Sequence, residues 1–152
     1  MKLIYQNKDE KQNAFYRIYI DEQKKYLLIS TGGDITQEFH TTTNLKFLEV
    51  VEEYKYNSII FDLSKQKSTQ VKSRIWFVSY VTKKAHSILS QNNIYCAVIS
   101  SSNALEKAVT SIIKNSITSF KPNIHIDFFN PDQLQEAKDW VTHKNNVVSI
   151  AE

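Results

Sequence analysis

The chain has 152 residues, 41% of them apolar and 23% charged, with 19 basic side chains against 16 acidic ones. That length suggests one domain with a core that needs no metal or disulfide staple, and the net charge of +3, spread without like-charge blocks, argues against a nucleic-acid tail. The single cysteine excludes an internal disulfide, no apolar run approaches the roughly 18 residues of a membrane span, and the start lacks a leader-like apolar stretch, so the default expectation is a cytoplasmic protein with no integral membrane segment.

Lys2–Gln6 reads as a short first strand. The aromatic and β-branched run A-F-Y-R-I-Y-I at 14–20 reads as a second, followed by a polar turn and the return strand Y-L-L-I-S at 26–30. Gly32-Gly33 breaks this pattern. Asp34 with Gln37 three residues on has capping-box spacing, which predicts a helix over about 35–54 with Ile35, Phe39, Leu48 and Val51 on its apolar face. The nearly continuous apolar run at 58–63 suits a central strand. A serine-rich polar turn comes next. From Val71 the period is helical, and Val71, Ile75, Val78, Ala85 and Leu89 share one narrow stripe.

Ile94–Ile99 reads as another buried strand, and the apolar neighbours of Cys96 suggest an inert thiol. Asn103 and Glu106 form a second capping box, opening a helix with Leu105, Ala108, Val109, Ile112, Ile113 and Ser116 on one face. Lys121-Pro122 ends it. In 123–129, Ile124, Ile126 and Phe128 alternate with His125 and Asp127, as in a half-exposed strand near an edge. Asn130-Pro131 opens the last helix, whose Leu134, Ala137 and Val141 should face the core. The domain is expected to span 1–143 and a tail 144–152. Alternation in the second half argues for an α/β fold with parallel strands joined by crossover helices, and the N-terminal hairpin supplies an antiparallel edge.

In this order, Y-L-L-I-S before T-G-G-D-I-T-Q-E-F, then I-I-F-D-L-S, S-R-I-W-F-V-S-Y-V, I-Y-C-A-V-I-S-S-S-N and F-F-N-P-D-Q-L-Q-E-A-K-D-W-V, the chain resembles the SpoIIAA-like branch of the STAS domains. These are anti-sigma-factor-antagonist-like domains whose fold is related to the CRAL-TRIO lipid-binding domains. The resemblance implies a mixed sheet with about four helices packed mainly on one face. Phospho-switched members carry an Asp-Ser pair at the start of the helix after the central strand. Asp62-Leu63-Ser64 matches the strand end, but Val71 and Lys72 stand where the second motif would lie, and Ser68 and Thr69 are the nearest hydroxyls.

Ser64, Ser68 and Thr69 therefore have two readings. One is capping of the next helix; the other is phosphorylation, with Lys65, Lys67 and Lys72 at hand. On a regular helical wheel Trp76 and Tyr80 lie opposite the apolar stripe and Lys83 shares their side, which marks a candidate interface, or else a patch covered by another segment. Asp62 lies at the carboxyl end of its strand, where open α/β sheets take ligands, and also suits a plain turn role. His40, His86, His125 and His143 sit on separate elements without metal-ligand spacing. His125 and Asp127 share a strand face, in a coupled pair or as solvated neighbours. No nucleophile elbow, phosphate-binding loop or dinucleotide fingerprint occurs. The sequence is read as a non-enzymatic regulatory or protein-interaction domain without metal or cofactor, acting through about 64–80 on a protein partner or a second copy. The alternative is a domain that binds a lipid or small apolar ligand between sheet and helices.

Overall fold

The computed structural model describes residues 1–89, 92–100, 114–119, 121 and 123–149. Six strands form one mixed sheet in chain order: β1 (Lys2–Asp9), β2 (Ala14–Asp21), β3 (Tyr26–Ile35), β4 (Ser58–Thr69), β5 (Ile94–Ile99) and β6 (Ile124–Phe129). The pairs β1–β2 and β2–β3 are antiparallel, and β3 to β6 run parallel. The helices are α1 (Gln37–Tyr54), α2 (Val71–Trp76), α3 (Thr82–Leu89), the segment α4 (114–119) and α5 (Leu134–Ser149).

Register sorts the side chains. Leu27, Ile59, Cys96 and Ile126 form one cross-strand row, and Ile29, Phe61, Val98 and Phe128 the next. Of these rows Leu27, Ile29, Ile59, Phe61 and Ile126 belong to the larger core, with Ile18 and Ile20 of β2, Phe39, Phe47, Val50 and Val51 of α1, and Val81, Leu89 and Ile117. Each parallel connection steps to the neighbouring strand in the same direction. Right-handed crossovers then put the connecting helices on one side. The opposite face carries Tyr26, Leu28, Ile60, Tyr95, Ala97 and Ile99, covered by Ala137 and Val141 of α5. The Ser58 hydroxyl, fully buried, donates to the Val141 carbonyl at 2.8 Å and ties β4 to that helix. The expected architecture, helices mainly on one face of a mixed sheet with an antiparallel N-terminal hairpin, is the one observed.

Two details differ from the sequence reading. The strand β3 runs through Gly32-Gly33 to Ile35, so the glycines sit inside an extended ribbon. The cap of α1 is Thr36 in place of Asp34: its Oγ1 accepts from Phe39 N at 3.2 Å, while Asp34 is still paired in β3. The last helix, α5, continues through Ser149. The capping box at Asn103 and Glu106, and the face from Leu105 to Ile113, lie outside the described residues.

Candidate functional site

The polar stretch after Asp62 is strand. Among the described residues only β3 pairs with it, because the β4–β5 ladder ends at Asp62 and Ile99. Gly32, Gly33, Asp34 and Ile35 pair with Lys65, Gln66, Ser68 and Thr69, with irregularities at Ser30/Gly32 and Gly33/Asp34. The result is a ribbon of β3 and β4 that projects past the carboxyl ends of β5 and β6, with Gly32 still paired to Phe15 of β2 and the Asp34 N–H donating to the Gln12 carbonyl at 3.3 Å.

All three hydroxyls lie on β4. The Ser64 Oγ and backbone N–H both donate to Asp62 Oδ1, at 2.6 and 3.1 Å. The Ser68 hydroxyl donates to Asp34 Oδ1 across the ribbon at 2.7 Å. Thr69 Oγ1 accepts from the Gln66 amide. The residue at the α2 cap position is Gln70, with no side-chain capping bond. The capping reading of Ser68 and Thr69 is thus corrected, since the ribbon holds both before the helix begins.

Between α2 and α3 lies a π-helical turn, Phe77–Val81. Such a turn inserts one residue and rotates the rest of the helix by about 100° relative to a regular one. The predicted stripe is split by it. Val78, Ala85 and Leu89 pack on the core, whereas Val71 and Ile75 are 70% and 62% exposed. Ser73 is buried in their place. Trp76 is half-buried against the core and meets His40 of α1 edge-on at 6.1 Å; Tyr80 stacks on it at 5.4 Å and is 40% exposed; Lys83 is exposed. Trp76 therefore belongs partly to the α1 contact, and the exposed apolar row is Val71, Ile75 and Tyr80.

Beneath α1, α2 and α4, at the carboxyl ends of the parallel strands, is a cavity of about 170 Å³. Its apolar lining comes from β3 (Ile29, Ile35), β4 (Phe61, Leu63), β5 (Val98), β6 (Ile126, Phe128) and the helices (Phe77, Val78, Ile117). The buried polar groups on it are bonded within the protein: Thr31 to the Phe15 carbonyl, Thr43 to the Phe39 carbonyl, and Asn44 to the His40 carbonyl. Tyr16 donates to Asn44 Oδ1 at 3.5 Å, and burial raises its phenol well above the usual range. His40 also lines the cavity. Burial lowers its imidazole to about 4, so it is neutral near pH 7, and its buried Nδ1 has no hydrogen-bond partner among the described residues. Arg74 and Lys114, both half-exposed, are the cations on the lining, and no described lining residue is a carboxylate.

Cys96 opens onto this cavity, and burial pushes its thiol up to about 12, in line with an inert thiol. His125 and Asp127 share the face of β6 opposite the cavity, but their bonds go elsewhere. The His125 ring stacks on Tyr95 at 5.0 Å and pairs with Asn93 Oδ1 at 3.1 Å, while the Asp127 carboxylate accepts from Phe128 N. His86 pairs with Asn123 Oδ1 at 2.8 Å, and His143 is exposed. Among the described residues no three His, Cys, Asp or Glu side chains cluster as metal ligands, and no helix is long and apolar enough to cross a membrane. The sequence reading offered a ligand between sheet and helices but did not name the residues that line this cavity, because its walls come from nine elements whose spacing becomes visible only after packing.

No family model and no curated protein matches the chain. Solved structures are similar to the chain, two of them as follows. One is an uncharacterized protein of the DUF3478 family with a SpoIIAA-like fold from Shewanella loihica PV-4: TM-score 0.57, 16% identity, covering 84% of this chain and 93% of that one. The other is the Bacillus cell fate determinant SpoIIAA in its phosphorylated form: TM-score 0.53, 10% identity, covering 83% and 98%. The SpoIIAA-like fold expected from the sequence is therefore the fold of this chain.

Proposed function

We propose that this SpoIIAA-like domain is a non-enzymatic regulatory module that binds a protein partner through the solvent face of α2. The observation that carries this reading is the exposure of Val71 and Ile75, one turn apart on α2, and of Tyr80 on the π turn that continues it. Large apolar side chains grouped on one helix face mark contact surfaces, and aromatic residues anchor them. A regular wheel would put the surface on Trp76, Tyr80 and Lys83; the π turn shifts it to Val71 and Ile75 and keeps Tyr80. Exposed Lys65, Lys67 and Lys72 flank the row and favour an acidic rim on the partner.

Phosphorylation is the regulation this reading adds, by analogy with the phosphorylated form of SpoIIAA. Of Ser64, Ser68 and Thr69, Ser68 is the exposed one. A phosphate there would break the bond to Asp34 and set like charges across the ribbon, loosening the segment that leads into α2.

The test is light scattering coupled to size-exclusion chromatography, on wild type and on Val71→Ser/Ile75→Ser, with candidate partners added. Association by wild type that is lost in a double variant with an unchanged circular dichroism spectrum supports the surface. A wild-type protein that stays monomeric, with cross-linking that captures nothing on α2, sinks it. A second reading, binding of a small apolar ligand, rests on the cavity.

A further inference from the structure

Three features of α2 and its surroundings run against a well-packed helix. Val71 and Ile75 are 70% and 62% exposed, although the sequence places them on one stripe with Val78, Ala85 and Leu89. Ser73 is 1% exposed, and its hydroxyl has no hydrogen-bond partner among the described residues. Beside the same helix lies the apolar cavity of about 170 Å³, with Arg74, Phe77 and Val78 in its wall. Exposed apolar side chains, a buried unpaired hydroxyl and a cavity in the core each cost stability.

One rearrangement relieves all three. The π turn Phe77–Val81 holds one residue more than a regular turn. Were 71–81 to wind as an unbroken α-helix, the segment 71–76 would rotate by about 100° about its axis. Val71 would then face inward, toward the cavity, with Ile75 at its flank. Ser73 would turn outward, where water satisfies its hydroxyl. Arg74 would swing across the mouth of the cavity, its stem along the apolar wall and its head in water. Trp76 opposes the change, because it would give up its packing on the core and its edge contact with His40 at 6.1 Å. Opposed gains and losses on one short helix leave two arrangements close in free energy, which a two-state element requires.

We propose that 71–81 is a switch between two helical registers. With the π turn, Val71 and Ile75 face solvent; without it, they are sequestered against the cavity of their own chain. The regulatory meaning rests on the α2 surface being the binding face, which the inward register hides. The switch itself is detected without a partner.

The experiment labels Val71→Cys in the full chain with a small uncharged thiol reagent and follows position 71 by peptide mass, so that Cys96 does not interfere. The comparison is the same variant with Ser73→Glu added. A carboxylate is too costly to keep unpaired where Ser73 is buried, so it drives the inward register. Labelling at 71 should slow at least roughly tenfold, since that burial costs more than the free energy of a factor of ten. In Ser73→Glu with Val71 intact, the Val71 methyls should gain NMR contacts to Leu63 or Val98 of the cavity wall. Unchanged labelling in a folded chain overturns the switch and leaves the α2 surface standing. Slowed labelling in a chain that associates with no partner keeps the switch and sinks the surface. Should Ser73→Glu fail to fold, the unaltered chain decides. Its Val71 and Ile75 methyls should show exchange on the μs–ms scale. Deleting Ser79, which lets the helix run regularly with both side chains outward, should quench it. Flat relaxation profiles in the unaltered chain overturn the proposal.

Discussion

The two halves of β4 are one strand in different surroundings. From Ser58 to Phe61 it is central, flanked by β3 and β5, with Ile59 and Phe61 toward the connecting helices and Ile60 toward α5. From Leu63 to Thr69 its only strand neighbour among the described residues is β3, and Lys65, Lys67 and Ser68 are exposed. The first half is held by apolar burial on both faces. The second is held by a ladder to one neighbour and by side-chain bonds at its edge. A strand held by burial tolerates little change and makes a scaffold. A strand held by few polar bonds shifts at low cost, and such segments are where switching elements are found.

The largest effect should come from the first half. Ile60 is fully buried between Leu28, Ala97 and α5. Ile60→Ala removes apolar burial and leaves a cavity, a loss of about 3–4 kcal/mol. Urea denaturation checks it. A loss below about 1 kcal/mol would mean that α5 does not close this face and that the contrast between the halves is false.

Next is Gly33, at the hinge between core and ribbon. Its φ is +83°, where a Cβ is strained, and an added Cβ would meet the Asn13 carbonyl oxygen and lie 2.7 Å from Ala14 Cα. Gly33→Ala should cost about 2–3 kcal/mol. Because the strain is local, amide exchange should rise first in Asp34–Ile35 and Ser68–Thr69. Uniform exchange across the sheet would show that the ribbon does not open separately.

The same contrast explains what the sequence could show. The apolar run at 58–61 and the alternation in β2 and β6 are signals of burial, and burial is what made these strands. The resemblance in element order carried the fold. The ribbon gave no such signal: K-Q-K-S-T pairs with G-G-D-I through backbone groups that side-chain type does not report, so lysines and glycines looked like a turn. Asp34 and Thr36 are both cap-forming residues, and the extra length of β3 chose Thr36. The π turn has no residue signature here, yet it decided that Val71 and Ile75 face solvent. A helical wheel assumes an unbroken period, and one inserted residue moved the candidate surface around the helix.

The smallest effect sharpens the comparison from the ribbon's side. The Ser68–Asp34 bond is exposed, so Ser68→Ala should cost no more than about 1 kcal/mol. Ser68→Asp loses the same bond and also sets two carboxylates across the ribbon. It should cost more than the alanine variant, and the difference should shrink with added salt, because exposed charges are screened beyond about 10 Å at 0.1 M ionic strength and over shorter distances at higher salt. Denaturant midpoints for both variants at low and high salt measure this. Equal midpoints at low salt would mean that Asp34 does not sense charge at position 68, and a phosphate there would have nothing to push against. A salt-sensitive gap, with α5 and the first half of β4 unchanged in amide exchange, would show that charge at one serine loosens the ribbon while the scaffold stays closed.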